Sequence, residues 1–415
     1  MKKKYTIITT LLAGIVLPLA AADGGVDFSG NIETKWGLCA PWTDSDSSAG
    51  RFLLGETSFT GSLDAYWGNS SAFAEGSISY DATEAKENND ALSFSLGELW
   101  VDYSDSYWGI RIGRQKQGWG KADGVNITNV LCPSDMSSFS ALVSDDSSLP
   151  IDAIRLTFNS SSFTVDAYWI PFFTPTKFTA SPLFSSYEFS ELSEPETAIW
   201  NAEYALKLSG YFSAMDCSFY AFYGWDDFPI ISYKILSATE KEISGSYKRM
   251  CMLGFDSAIP LGETVIRLET AFFPQRAFQK AFALGTSDYS EKHNQISALA
   301  GLDWMPSGWT ITAQYFCDYV FGDLSLLDRT DSYKHGITLS LSKSILNETL
   351  ELSFSGLMNF NAFDSLLSPS ATYSLSDQIK LSTGAYIFIP GPSEDGEYGA
   401  YKDYSSFFIK ISMSF

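Results

Sequence analysis

The stretch Asp403-Tyr404-Ser405-Ser406-Phe407-Phe408-Ile409-Lys410-Ile411-Ser412-Met413-Ser414-Phe415 decides how the rest of the chain is read. Phe407, Ile409, Ile411, Met413 and Phe415 alternate with Phe408, Lys410, Ser412 and Ser414, so one face is wholly apolar and the other mostly small or charged. A period of two marks a strand whose faces meet different media. A soluble sheet uses the same pattern, and so does a barrel wall in lipid. The rest of the chain chooses between them.

At the other end, Lys2, Lys3 and Lys4 precede an apolar run from Ile7 to Leu19, followed by Ala20-Ala21-Ala22. This reads as a secretory signal peptide over residues 1–22, with the exported domain over 23–415. No later stretch approaches the roughly 20 continuous apolar residues of a spanning helix. A chain of this kind enters a membrane only as a closed barrel, because closure satisfies every backbone group in lipid. Aromatics make up 15% of the chain and the mean hydropathy is −0.02, as alternating lipid-facing and water-facing residues require. Removing the three lysines with the signal takes the net charge from −22 to −25, which excludes a nucleic-acid binder.

From Val26 onward, period-two segments are joined by short and long connections in alternation. Gly68-Asn69-Ser70, Ser104-Asp105-Ser106, Ser209-Gly210, Pro260-Leu261-Gly262 and Pro306-Ser307-Gly308 are among the tight turns. Counting segments gives an all-β, antiparallel up-and-down transmembrane barrel of about 18 strands, with 16 as the alternative because the segment from Pro369 to Leu375 is weak. Both ends fall on the short-turn side, and the long loops are expected on the other. Charges on the polar faces argue against a dry core, where each unpaired one costs several kcal/mol. The aromatics Trp169, Phe172, Phe173, Trp225, Phe272 and Phe273 are read as an interfacial girdle, and Asp226-Asp227 and Asp145-Asp146 as solvated loop faces.

The terminal aromatic resembles the C-terminal signature of Gram-negative outer-membrane barrels, which implies that Phe415, Met413 and Ile411 are read by the barrel-assembly machinery. A second resemblance rests on Ile110-Arg111-Ile112-Gly113-Arg114-Gln115-Lys116-Gln117-Gly118-Trp119-Gly120-Lys121-Ala122-Asp123-Gly124 and Asn129-Val130-Leu131-Cys132-Pro133-Ser134-Asp135. Its Gly-Arg-Gln, Trp-Gly-x-Ala-Asp and Pro-x-Asp elements resemble a family of porin-like outer-membrane barrels, with Cys132 where such proteins more often carry Asn. Gly113 to Gly118 has P-loop spacing, but Trp119 occupies the place of its Lys. The segment is the third long loop, after strand five, and resembles the porin loop that folds into the barrel and narrows it. Arg111 points inward by alternation. With Arg155 and Arg267 it is expected to face loop carboxylates Asp123 and Asp135 across a constriction, and opposed charges there set solute preference. The alternative is that these groups only pin the loop by salt bridges. Arg114 and Lys121 are assigned to the same constriction, with Glu203 and Lys207 on the eighth strand and Glu269 beside Arg267 on the eleventh. General porins are trimers, so the resemblance leaves a homotrimer open, but nothing in the sequence identifies a trimer face.

No cofactor, metal or catalytic set emerges. His293 and His335 are far apart, no Cys-x-x-Cys exists, and no Gly-x-Ser-x-Gly elbow surrounds a serine. Cys39 and Cys132 fall in expected loops, and the sequence leaves a disulfide and two free thiols equally open, whereas Cys217 and Cys317 read as small hydrophobes. The function expected is a non-enzymatic outer-membrane porin passing small hydrophilic solutes or ions. The alternatives are a barrel transporting hydrophobic molecules, similar to fatty-acid transporters but lacking room for their N-terminal plug, and an adhesin displaying loops 172–195 and 226–245.

Overall fold

The computed structural model describes residues 24–40, 49–83, 91–143, 147–177, 189–235, 241–282, 288–329, 331–393 and 396–415. The expected signal peptide and Asp145-Asp146 lie outside these residues. Strands β1 (Gly24–Cys39), β2 (Phe52–Trp67), β3 (Ser70–Asp81), β4 (Leu92–Ser104) and β5 (Trp108–Gln115) precede the loop of interest. After it come β6 (Ile151–Asn159), β7 (Phe163–Ile170), β8 (Phe189–Ser193), β9 (Glu203–Tyr211), β10 (Asp216–Trp225), β11 (Ile230–Ile235), β12 (Lys241–Ser246) and β13 (Arg249–Leu261). The chain finishes with β14 (Thr264–Gln279), β15 (Ser290–Trp304), β16 (Trp309–Val320), β17 (Tyr333–Ile345), β18 (Leu350–Asn359), β19 (Asp364–Ser374), β20 (Ile379–Ile389) and β21 (Ser406–Ser414).

All but β8, β11 and β12 belong to one 18-stranded antiparallel sheet in which each strand pairs with the barrel strands before and after it, β7 with β9 and β10 with β13 across the inserted strands. The sheet closes where β21 meets β1, from Asn31 opposite Ser414 to Cys39 opposite Ser406. Phe415 finishes the seam by donating to and accepting from Gly30, at 3.0 and 2.9 Å. Closure removes the sheet edges, so the ladder leaves no row of strand groups unpaired.

The alternation sorts side chains onto the two faces of this ring. Along β15, Gln295, Ser297, Leu299 and Asp303 are buried while Ile296, Leu302 and Trp304 lie exposed on the outside. In β21 and the residue after it, the whole apolar set Phe407, Ile409, Ile411, Met413 and Phe415 is exposed, whereas Phe408 turns inward and is buried. An apolar outer surface around a partly polar interior inverts a water-soluble sheet and fits a barrel wall in lipid.

Two expectations need correction. The connection between β18 and β19 is only four residues, 360–363, although it lies on the side of the long loops. Asn361 makes it tight: its amide nitrogen reaches the Tyr333 carbonyl at 2.9 Å and its backbone donates to Asn359 at 3.0 Å. The sixteenth barrel strand accordingly runs from Asp364, and Pro369 sits within it. Pro369 lacks an N–H, and pairing with β20 skips from Leu367–Ile387 to Ser370–Gly384 around it. The expected loops 172–195 and 226–245 also contain β8, β11 and β12, which form a separate three-stranded sheet with a parallel β12–β8 pair.

Candidate pore constriction

The connection from β5 to β6, residues 116–150, is organised by the carboxylate of Glu269, which projects from the inner face of β14. Its Oε2 accepts from the Lys121 and Ala122 amides at 2.6 and 2.9 Å, and its Oε1 from the Thr128 amide and hydroxyl at 2.8 and 2.7 Å. Four donors converging on one ionised acceptor form charge-assisted hydrogen bonds, the stronger kind. Gly120 adopts a φ of 89°, and a Cβ there would collide with Glu269; glycine is therefore required for the close approach. Its amide donates to Tyr220, whose hydroxyl in turn donates to buried Asp256. Trp119 packs on the Tyr220 ring at 4.7 Å, and Ile127, Leu131 and Cys132 bury themselves with it against inward residues of β6, β7, β10, β13 and β14. Phe273 belongs to this buried cluster, which corrects its reading as part of an interfacial girdle.

Beside Glu269, Arg267 binds Asp303 at 2.6 Å, Asp123 at 2.7 Å and the Lys121 carbonyl at 2.9 Å. The Asp123 amide also donates to Gln314 on β16 at 3.2 Å. Arg267 and Gln314 share one rung of the ladder, separated by Gly301, which has no side chain to intervene. The other arginines form a separate station. Asp102, Arg111, Arg155 and Tyr168 occupy a single rung across β4 to β7. Asp102 takes Arg111 at 3.0 Å and Arg155 at 3.7 Å, while Arg111 stacks over Trp100 at 3.6 Å. Gln117 ties the loop to this rung by accepting from Arg155 and Tyr168 at 3.3 and 3.0 Å.

The second half of the segment reaches the opposite strands. Ser138 caps a one-turn helix, Phe139–Leu142, by accepting from the Ala141 amide at 3.1 Å. Phe139 packs against Tyr386, Phe388 and Tyr404. Ser140 donates to Glu56 on β2 at 2.6 Å, and Tyr386 on β20 donates to the Val143 carbonyl at 3.3 Å. Asp123, Gly124, Ser140 and Val143 thus border a cavity of about 750 Å³ whose remaining wall comes from β1 and from β16 to β21. That wall is dominated by hydroxyls in register: Thr312, Ser340, Ser355 and Ser368 form one rung from β16 to β19, and Ser353 and Ser370 pair in the adjacent one.

Of the residues expected at the constriction, Arg267 and Asp123 meet, and Glu269 is linked to them through the Lys121 backbone, which donates to Glu269 and accepts from Arg267. Arg111 and Arg155 do not extend that cluster; Asp102, which the sequence reading passed over, holds both. Asp135 lies apart as well, bonded to Ser137 and 3.6 Å from Lys177. Arg114 is corrected outright. It shares a rung with Leu99 and Asp152, pairs with Asp152 at 3.1 Å, and lies on the outer face with Ile112, because strict alternation sends it opposite to Arg111. Glu203 stands at the long-loop end of β9, where it accepts from the Trp225 amide at 2.8 Å, and Lys207 lies over the Tyr220 ring.

Asp226 is no solvated loop residue: it is buried and bound to Arg276 at 2.6 and 3.1 Å. Burial, together with the charges of Asp226 and Glu203, holds the neighbouring Asp227 carboxyl well above the usual range despite Arg276. Cys39 and Cys132 are both free and buried. The Cys39 thiol donates to the Asp403 carbonyl at 2.9 Å, and burial pushes the Cys132 thiol up to about 11 although the Gln117 amide opposes the shift. His335 sits among the rings of Tyr315, Tyr333 and Phe360, with Tyr315 at hydrogen-bond distance, 3.0 Å.

A family model described as "Protein of unknown function (DUF1302)" matches residues 43–325, more than half of the sequence. The chain belongs to this family. No protein of curated function matches it in sequence. In three dimensions this DUF1302 member is similar to Pseudomonas aeruginosa OccK8 (OprE), with a TM-score of 0.55 and 11% identity over 94% of this chain and 97% of that one. It is also similar to Acinetobacter baumannii OccAB3, with a TM-score of 0.53 and 9% identity over 94% and 99% of the two chains. For Pseudomonas aeruginosa OccK2 (OpdF) in complex with glucuronate the TM-score is 0.51, with 11% identity over 95% and 97%. At these identities the likeness is one of fold, an 18-stranded antiparallel barrel.

Proposed function

We propose that this DUF1302 member is an outer-membrane porin, passing small hydrophilic solutes by diffusion through a lumen narrowed by residues 116–150. One observation carries the reading: the segment after β5 is hydrogen-bonded to Glu269 and Gln314, far around the ring, while a hydroxyl-lined cavity stays open beside Asp123 and Gly124. A segment so attached spans the interior and sets its width. The exposed apolar outer face supports lipid around the barrel, and the exposed outer row ending at Phe415 supports that strand as the segment read by the assembly machinery. The ten serines and threonines bordering the cavity favour hydrophilic solutes over hydrophobic ones, although Val143, Leu366 and Phe408 border it too.

The fold likeness to OccK8, OccAB3 and OccK2 supports the reading only as architecture. The constriction offers paired charges, Arg267 with Asp123 and Asp303, as a fixed local dipole beside the path rather than a ring of one sign. Refolded protein in planar bilayers should give steady single-channel steps that scale with salt concentration. A barrel demonstrated to be folded that gives none would end the proposal.

A further inference from the structure

The open side of the barrel is chemically unusual in one respect: its inner wall is almost free of net charge and dense in hydroxyls. Ten serines and threonines border the cavity, and its four charged residues, Glu33, Lys35, Asp123 and Lys410, are two of each sign. The charges are also locally compensated. Lys410 lies 3.5 Å from Glu33, Asp123 is held by Arg267, and Lys35 donates to Tyr386 at 3.0 Å. Thr372 and Ser382 bond each other at 2.9 Å, but Ser340, Ser353, Ser355, Ser368 and Ser370 make no side-chain hydrogen bond among the described residues, which leaves them to whatever fills the lumen.

The geometry points to uncharged, polyhydroxylated solutes as the class this channel favours; the inference rests on the porin reading and names its solute. A serine hydroxyl both donates and accepts, and it rotates to suit its partner. Rows of such groups spaced by the ladder, about 4.8 Å between strands, let a sugar-like molecule exchange water for wall hydroxyls at successive steps. Each exchange is close to neutral in free energy, so the solute is held weakly and released, which conduction requires. An ion gains little from a wall of rotating dipoles without net charge and leaves hydration behind. The acidic pull of the whole chain, at −22, is absent from this wall.

The test uses refolded mature protein in liposomes and reads swelling rates for glucose, glucosamine and glucuronate, one scaffold with charge zero, plus and minus. Glucose should enter fastest. In the triple variant S340A/S355A/S368A the glucose rate should fall roughly threefold relative to the glucosamine and glucuronate rates, the low end of what one net hydrogen bond is worth; an unchanged ratio would overturn the inference. Glucosamine entering fastest would overturn the inference and give selection to the carboxylates Glu56 and Glu75 of the β2–β3 wall. Glucuronate entering fastest would overturn it in favour of the basic groups. The wild-type series stands even if the variant fails to fold. KCl conductance without preference for glucose refutes this inference alone, whereas a folded barrel that passes neither salt nor sugar refutes the porin reading beneath it.

Discussion

Replacing Glu269 with alanine removes the acceptor of three loop amides and one hydroxyl at once. Hydrogen bonds to a charged group contribute about 1.5–3 kcal/mol each, but the four share one carboxylate and do not add. Water entering the vacated space satisfies the donors in part. The net loss is therefore about 3–5 kcal/mol, the size typical of breaking one partner out of a buried charged network. At 1.36 kcal/mol per factor of ten, that is a shift of roughly two to four decades in the population of conformers with residues 120–124 detached. The apolar anchors Trp119, Ile127 and Leu131 persist, so the segment loosens where Asp123 and Gly124 border the cavity and stays inside. Single-channel recording should show larger mean conductance and greater open-channel noise for E269A. E269Q should lie between, because a carbonyl serves one pair of donors while the new NH₂ confronts the other. Folding is checked by the heat-modifiable mobility of the barrel. Wild-type conductance and noise in a folded E269A protein would refute the idea that Glu269 holds the constriction.

Other outcomes follow from groups in the loops. The Asp227 carboxyl, raised by burial and by Asp226 and Glu203, favours the protonated form in the folded state. Its contribution is thus fully present below the ordinary carboxylate range and is lost as pH rises through the raised value. D227N should raise the unfolding temperature at neutral pH and leave it unchanged near pH 4, followed by thermal loss of β signal; equal effects at both pH values would contradict this. Cys39 and Cys132, both buried and free, should resist maleimide at neutral pH until the barrel is unfolded, and reductant should leave its gel mobility unchanged. Rapid labelling of Cys132 itself in the folded protein, located by peptide mass because Cys251 and Cys317 are partly exposed, would show that the segment around it opens.

The barrel was legible because period-two alternation repeats in every strand and is interpreted without knowing partners. Phe407 to Phe415 and Leu350 to Phe360 could be assigned faces one residue at a time. Arg267 facing Asp123 was also within reach, since the two charges complement each other. Glu269 was picked out only as a lumen charge: its partners are backbone amides of Lys121, Ala122 and Thr128, which no residue type announces. Arg114 was misplaced because the motif grouped it with Arg111, although the alternation separates them by face. Asp226 with Arg276 joins residues fifty apart through a fold-dependent approach, and the β12–β8 pair is parallel between strands distant in sequence. The hydroxyl rows needed the register: Ser340, Ser355 and Ser368 are scattered serines until the ladder aligns them.

The most direct test of a loop-narrowed, hydroxyl-walled path is cysteine accessibility in a conducting channel. Asp123→Cys and Ser340→Cys, which both border the cavity, are exposed to a charged methanethiosulfonate reagent during single-channel recording, with Arg114→Cys on the outer face as the control. A stepwise fall in current for the first two and none for the third is the expected result. Unchanged current at Asp123→Cys and Ser340→Cys, with labelling demonstrated by mass, would contradict the placement of the permeation path between the loop and the hydroxyl wall.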